Sequence, residues 1–66
     1  MDPTACFRRM AEAFELNDWN EVGEAAEDLK QWLRNGGSAP DQLQTCGAFA
    51  VPAAVAICEQ MTRLGE

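Results

Sequence analysis

The chain of 66 residues contains no histidine. That absence removes the commonest general base, every Ser/His/Asp or Cys/His constellation, and the imidazole ligand of most transition-metal sites. The cysteines Cys6, Cys46 and Cys58 form no CxxC pair, so a zinc site has no ligand set. An odd number of cysteines at wide spacing, each among apolar neighbours, reads as small buried hydrophobes and not as a disulfide framework. Reduced thiols in turn imply a cytoplasmic protein. No glycine-rich loop follows a strand-like run, and no repeat or low-complexity tract occurs.

Positive charge is also scarce. Five Lys and Arg stand against eleven Asp and Glu, a net charge of −6. Binding to nucleic acid needs basic side chains that displace counterions from phosphate, and anionic membrane needs the same. Neither is expected. A basic protein surface is the partner that this charge allows, although acidity by itself only keeps a small apolar protein dissolved. The longest apolar run, 48–58, is well short of the roughly 20 residues that span a bilayer. The opening stretch MDPTACFRRM places arginines where a secretory leader would carry its apolar core. The chain is therefore expected to be a soluble single domain over 1–66. At this length folding buries only about 60% of the surface of the unfolded chain, which leaves little room for an enzyme-sized pocket.

What is present is helical. In the stretch 17–37, NDWNEVGEAAEDLKQWLRNGG, the apolar residues Trp19, Val22, Ala25, Ala26, Leu29, Trp32 and Leu33 fall within an arc of roughly 140° at helical spacing. Asn17 or Asp18 supplies a side-chain oxygen for the N-cap, and Glu21 stands at the capping-box position of Asp18. Acids lead and Lys30 and Arg34 follow, as the helix dipole favours. Asn35, Gly36 and Gly37 stop it. Upstream, Asp2-Pro3 opens a helix whose inner face is Cys6, Phe7, Met10, Ala11, Ala13 and Phe14. Arg8 and Arg9 are expected to pair with Glu12 on its wet side. A break of two or three residues makes the two helices an antiparallel hairpin, about 3–16 and 18–35.

Beyond the glycines, Ser38 or Ala39 caps a short helix near 40–46 that points Leu43 and Cys46 inward. Gly47 and Pro52 interrupt the chain, giving a bend through 47–51 and a last helix from about 52 to 64. One long helix kinked at Pro52 is the alternative. The last helix carries Val51, Ala53, Ala54, Val55, Ile57, Cys58, Met61 and Leu64 over an arc near roughly 200°. An element so apolar either lies centrally beneath the other helices or faces another molecule.

Motifs that carry chemistry are thin. The run Asp18-Trp19-Asn20-Glu21-Val22-Gly23 starts like a calcium loop, but Val22 fills a ligand position and Leu29 stands where a bidentate glutamate must close the site. The carboxylates Glu24, Glu27 and Asp28 lie on the polar arc, without the desolvation that separates a general acid from a general base. No catalytic residue, cofactor, metal or small-molecule substrate is expected.

From Ala11 to Leu33, AEAFELNDWNEVGEAAEDLKQWL resembles the middle of a tetratricopeptide repeat, with Asn17-Asp18-Trp19 matching that family's Gly-Asp-Tyr turn and Glu21 following. The likeness implies a helical hairpin. Met10, Val22 and Leu29 replace its small residues, Arg34 replaces its terminal proline, and a single unit builds no peptide groove, so the family's peptide-clamp role does not carry over. The chain otherwise resembles short bacterial proteins.

The fold expected is all-α, a small bundle in which the hairpin is closed by a short helix and an apolar C-terminal helix. The function expected is a non-enzymatic protein-interaction module that meets a protein partner or a second copy through Val55, Ile57, Met61 and Leu64. The alternative is an acidic decoy that engages a basic surface through Glu21, Glu24, Glu27 and Asp28.

Overall fold

Asp2 opens the first helix, α1 (Pro3–Glu15). In the computed structural model, which describes residues 1–66, its carboxylate accepts from the N–H groups of Thr4 at 3.0 Å and Ala5 at 3.2 Å. Pro3 takes the first helical position, where a missing N–H leaves nothing unpaired. The helix is stopped by a left-handed residue, Asn17, at φ 57°. This turn lets the N–H of Asn17 reach the Phe14 carbonyl at 3.1 Å and that of Asp18 reach Ala13 at 2.9 Å, the paired bonds of a Schellman stop. Asn17 thus closes α1, and Asp18 alone caps α2 (Trp19–Arg34), accepting from the Glu21 N–H at 3.3 Å.

The same device ends α2. Gly36 sits at φ 86°, and the N–H groups of Gly36 and Gly37 return to Leu33 at 3.1 Å and Trp32 at 2.9 Å. The Trp32 ring then folds over Gly37, and its indole N–H donates to the Ser38 carbonyl at 2.9 Å. A Cβ on Gly37 would stand 2.3 Å from that ring. Space, not backbone angle, demands glycine there.

The next segment departs from expectation. In place of a short α-helix at 40–46, Asp41–Phe49 winds as a 3-10 helix, broken at Gly47 (φ 57°, ψ −125°). Neither Ser38 nor Ala39 caps it. Pro40 holds the cap position without a side-chain bond, and the cap comes from α1: Thr4 Oγ1 accepts from the Asp41 N–H at 3.0 Å. The Gln42 side-chain amide donates to the Thr4 carbonyl at 3.0 Å, and Pro40 is fully buried. Leu43 and Cys46 reach only half-burial. The final helix, α3 (Ala50–Leu64), starts two residues before the expected position. Pro52 falls in its first turn, where no N–H is needed, so neither a kinked long helix nor a later start is required.

α2 is the centre. Both α1 and α3 pack on it, while no Cα of α1 comes within 8 Å of α3. The core is Cys6, Met10 and Ala13 from α1, Val22, Ala25, Ala26, Leu29 and Leu33 from α2, and Ala54 and Cys58 from α3. The apolar last helix therefore lies on one flank of α2 and not beneath the other elements. Small residues bring it close: a Cβ on Gly65 would stand 2.6 Å from the Gly23 Cα. On the other flank the Cys6 thiol donates to the Ala25 carbonyl at 3.3 Å. The expected pairs of Arg8 and Arg9 with Glu12 do not form. Arg9 instead crosses to α2, pairing with Glu21 and, at 3.4 Å, with Asp28, because two carboxylates one α2 face away outcompete one on its own helix. No helix is long and apolar enough to cross a membrane.

Replacing Gly37 with Ala should push the Trp32 indole off the Ser38 carbonyl. The expected cost is about 2 kcal/mol, or roughly 10 °C in Tm for a domain of this size. A thermal melt unchanged within 2 °C, with no red shift of tryptophan emission, would refute the packing assigned to Gly37.

Candidate functional site: a groove between the outer helices

Two helices laid on one face of a third and held apart leave a furrow between them. Here it holds about 280 Å³ and is lined by Phe7, Met10, Ala11 and Phe14 from α1 and by Ile57 and Met61 from α3, with Glu15 at the rim. No lining residue comes from α2. Met10 belongs to the core, and Phe7, Ile57 and Met61 are half-buried against it. Phe14 is 44% exposed, although its position on the α1 stripe suggested the interior. Its ring stands edge-on to Trp19, with centroids 5.5 Å apart. Trp19, expected within the α2 stripe, is itself exposed, as are Leu16 and Leu64. These residues extend the apolar surface past the hairpin turn.

Loose folding does not explain this exposure. The radius of gyration is 10.7 Å, against about 10.8 Å for a compact chain of this length. The accessible surface is 4149 Å², close to the roughly 4,100 Å² expected for a monomer of this mass. The chain is well packed and still exposes the rings of Phe14, Trp19 and Phe49.

The four residues expected to form an interface are not one surface. Ile57 and Met61 line the groove, and Leu64 follows them on the same flank of α3. Val55 lies roughly 160° around the helix from Ile57, so it faces away from the groove. It is half-buried and packs against the core. The sequence reading placed Phe7, Ala11 and Phe14 inside. The signal for their second role was the arc of roughly 160° that α1 devotes to apolar residues, more than one neighbouring helix covers.

The four carboxylates expected to form an acidic surface do share α2, but cations already hold most of them. Arg9 takes Glu21 and Asp28, and Lys30 lies 3.3 Å from Glu27. Glu24 alone of the four has no cation within bonding distance. With Glu27, Asp28 and Glu66 it borders an open polar cleft between α2 and the end of α3. No group of three or more Asp, Glu, His or Cys side chains converges as a metal site.

Cys6 and Cys58 are buried and Cys46 is half-buried, all three as free thiols. Burial pushes the Cys6 thiol up, against the opposing charge of Arg9. Burial also raises Cys58, from the ordinary 9.0 to about 11, with the neighbouring Cys6 adding to the effect. Such thiols stay protonated and make weak nucleophiles.

Comparison with known proteins finds no matching family model, no matching curated protein and no matching solved structure.

The Cys58 shift fixes a direction for alkaline stability. Below the ordinary thiol value the folded and unfolded chains are both protonated there, and stability is complete. As pH rises from 9.0 towards about 11, the unfolded chain ionises while the folded one resists. Stability should fall by about 2 kcal/mol between pH 8 and 10.5, and Cys58→Ala should remove most of the slope. Denaturant titrations at pH 8 and 10.5 measure it. The same slope in the variant would refute the assignment.

Proposed function

We propose that this chain is a small non-enzymatic helical protein-interaction module, which receives an amphipathic helix of a protein partner in the furrow between α1 and α3. The observation that carries the reading is the apolar lining of that furrow in a molecule of ordinary compactness. An amphipathic helix laid between two others buries its stripe with little rearrangement, and anchors at i, i+3, i+4 and i+7 match such a groove. Phe7, Ala11 and Phe14 on one wall, and Ile57 and Met61 on the other with Leu64 one turn beyond, have that spacing. Of the residues nominated on the last helix, Ile57, Met61 and Leu64 stay in the proposal and Val55 leaves it.

The tetratricopeptide-like hairpin fits the reading as a frame, since the tight turn at Asn17-Asp18-Trp19 holds α1 beside α2. A cytoplasmic setting is supported by the free thiols. The acidic-decoy reading has less support, because Arg9 and Lys30 already pair with three of the four carboxylates on which it depends.

Site-specific photocrosslinking in cells tests the proposal. A benzophenone side chain in place of Phe14 should give protein adducts, one in place of Glu24 should give none, and Ile57→Glu should abolish the Phe14 adducts. Adducts from position 24 with none from position 14 would replace the groove with the acidic face.

A further inference from the structure

The outward side of α1 carries two heptad-spaced pairs, one aromatic and one of opposite charge, on either side of a small residue. Phe7 and Phe14 lie one heptad apart, as do Arg8 and Glu15, and Ala11 stands between the members of both pairs. Laid against a second copy running the opposite way with Ala11 near the axis, Phe7 comes within one residue's rise (about 1.5 Å) of Phe14 of the other chain, on the same flank. Arg8 meets Glu15, and a two-fold axis repeats each contact. Antiparallel helices bring equal flanks together, so the aromatic flank faces an aromatic flank and the charged flank faces a charged one. Ala11, exposed and small, permits close approach at the axis.

The single chain leaves these groups available. Arg8 and Glu15 are exposed and join no ion pair, whereas Arg9, the next residue, is engaged twice across the hairpin. Ala11 and Phe14 are exposed on the same wall of the groove. The carboxylates of α2 do not border it, so the net negative charge is not concentrated at the contact.

We infer that the occupant of the groove is a second copy of this chain, in a two-fold dimer whose seam is α1 against α1. Phe7 and Phe14 interlock across the axis beside Ile57 and Met61, and two Arg8–Glu15 pairs set the register. This rests on the reading of the groove as an interaction surface and names its partner. It also moves the contact from the last helix to the first, with α3 as a supporting wall.

The charge pattern supplies the test. In sedimentation equilibrium the unmodified chain should dimerise in a concentration-dependent way. Arg8→Glu and Glu15→Arg should each convert two attractive pairs into two repulsive ones and weaken the dimer at least about tenfold. The double variant should regain it, and an equal mixture of the two single variants should form a heterodimer. Ala11→Arg, which sets two cations on the axis, should also give monomer, with helical circular dichroism confirming that each variant folds. A chain monomeric at millimolar concentration overturns the inference, as does a dimer indifferent to both single changes. If the chain is monomeric while position 14 still crosslinks to another protein, the interaction reading stands and the second copy is excluded. Neither dimer nor adduct would refute both.

Discussion

Everything in this fold depends on how closely two helices approach α2. Its inner surface is built from Gly23, Ala25 and Ala26, with Val22, Leu29 and Leu33 as the larger contacts. Small side chains let neighbouring backbones come near, and the neighbours answer in kind, with Cys6 and Ala13 on one flank and Ala54, Cys58 and Gly65 on the other. Short cores gain most from such contacts, because a chain this small buries few large residues. Only Leu29, Val22, Pro40 and Cys58 are large and fully enclosed.

The same constraint creates the exposed groove. Helices drawn tightly onto two flanks of a central one are held apart by it, so neither can cover the other. Phe7, Ile57 and Met61 then complete the core with one side and face the furrow with the other. A fourth helix along the gap would finish a bundle; the 3-10 segment packs on both α1 and α3 but adds no residue to the lining of the groove. The apolar lining is thus a consequence of three-helix geometry, not of poor packing.

Electrostatics follow the same division of labour. α2 carries four of the eleven acidic residues, and Arg9 ties two of them to α1 across the hairpin. Such surface pairs contribute little stability. The thiols behave as apolar groups: Cys6 turns its proton to a backbone carbonyl, and burial holds Cys58 protonated far into the alkaline range.

Local signals were enough to read the helices. Asp2-Pro3, Asp18 and Gly36-Gly37 mark where α1 begins and where α2 begins and ends, because caps and stops act within a few residues. Asn17, a candidate cap in the sequence, is instead the stop of α1. The groove was legible only in part. Ile57 and Met61 face the groove, but Phe14 was read as interior, since a stripe does not state how many neighbours will cover it. The 3-10 segment takes its cap from Thr4, 37 positions earlier in the chain, and Arg9 chose α2 over its own helix. What the sequence by itself determined was an all-α chain with a central amphipathic helix and no constellation for familiar chemistry. Only the tertiary structure decided which apolar residues are spent inside and which remain outside, because that division depends on the separation of α1 and α3, which small residues on α2 set from a distance.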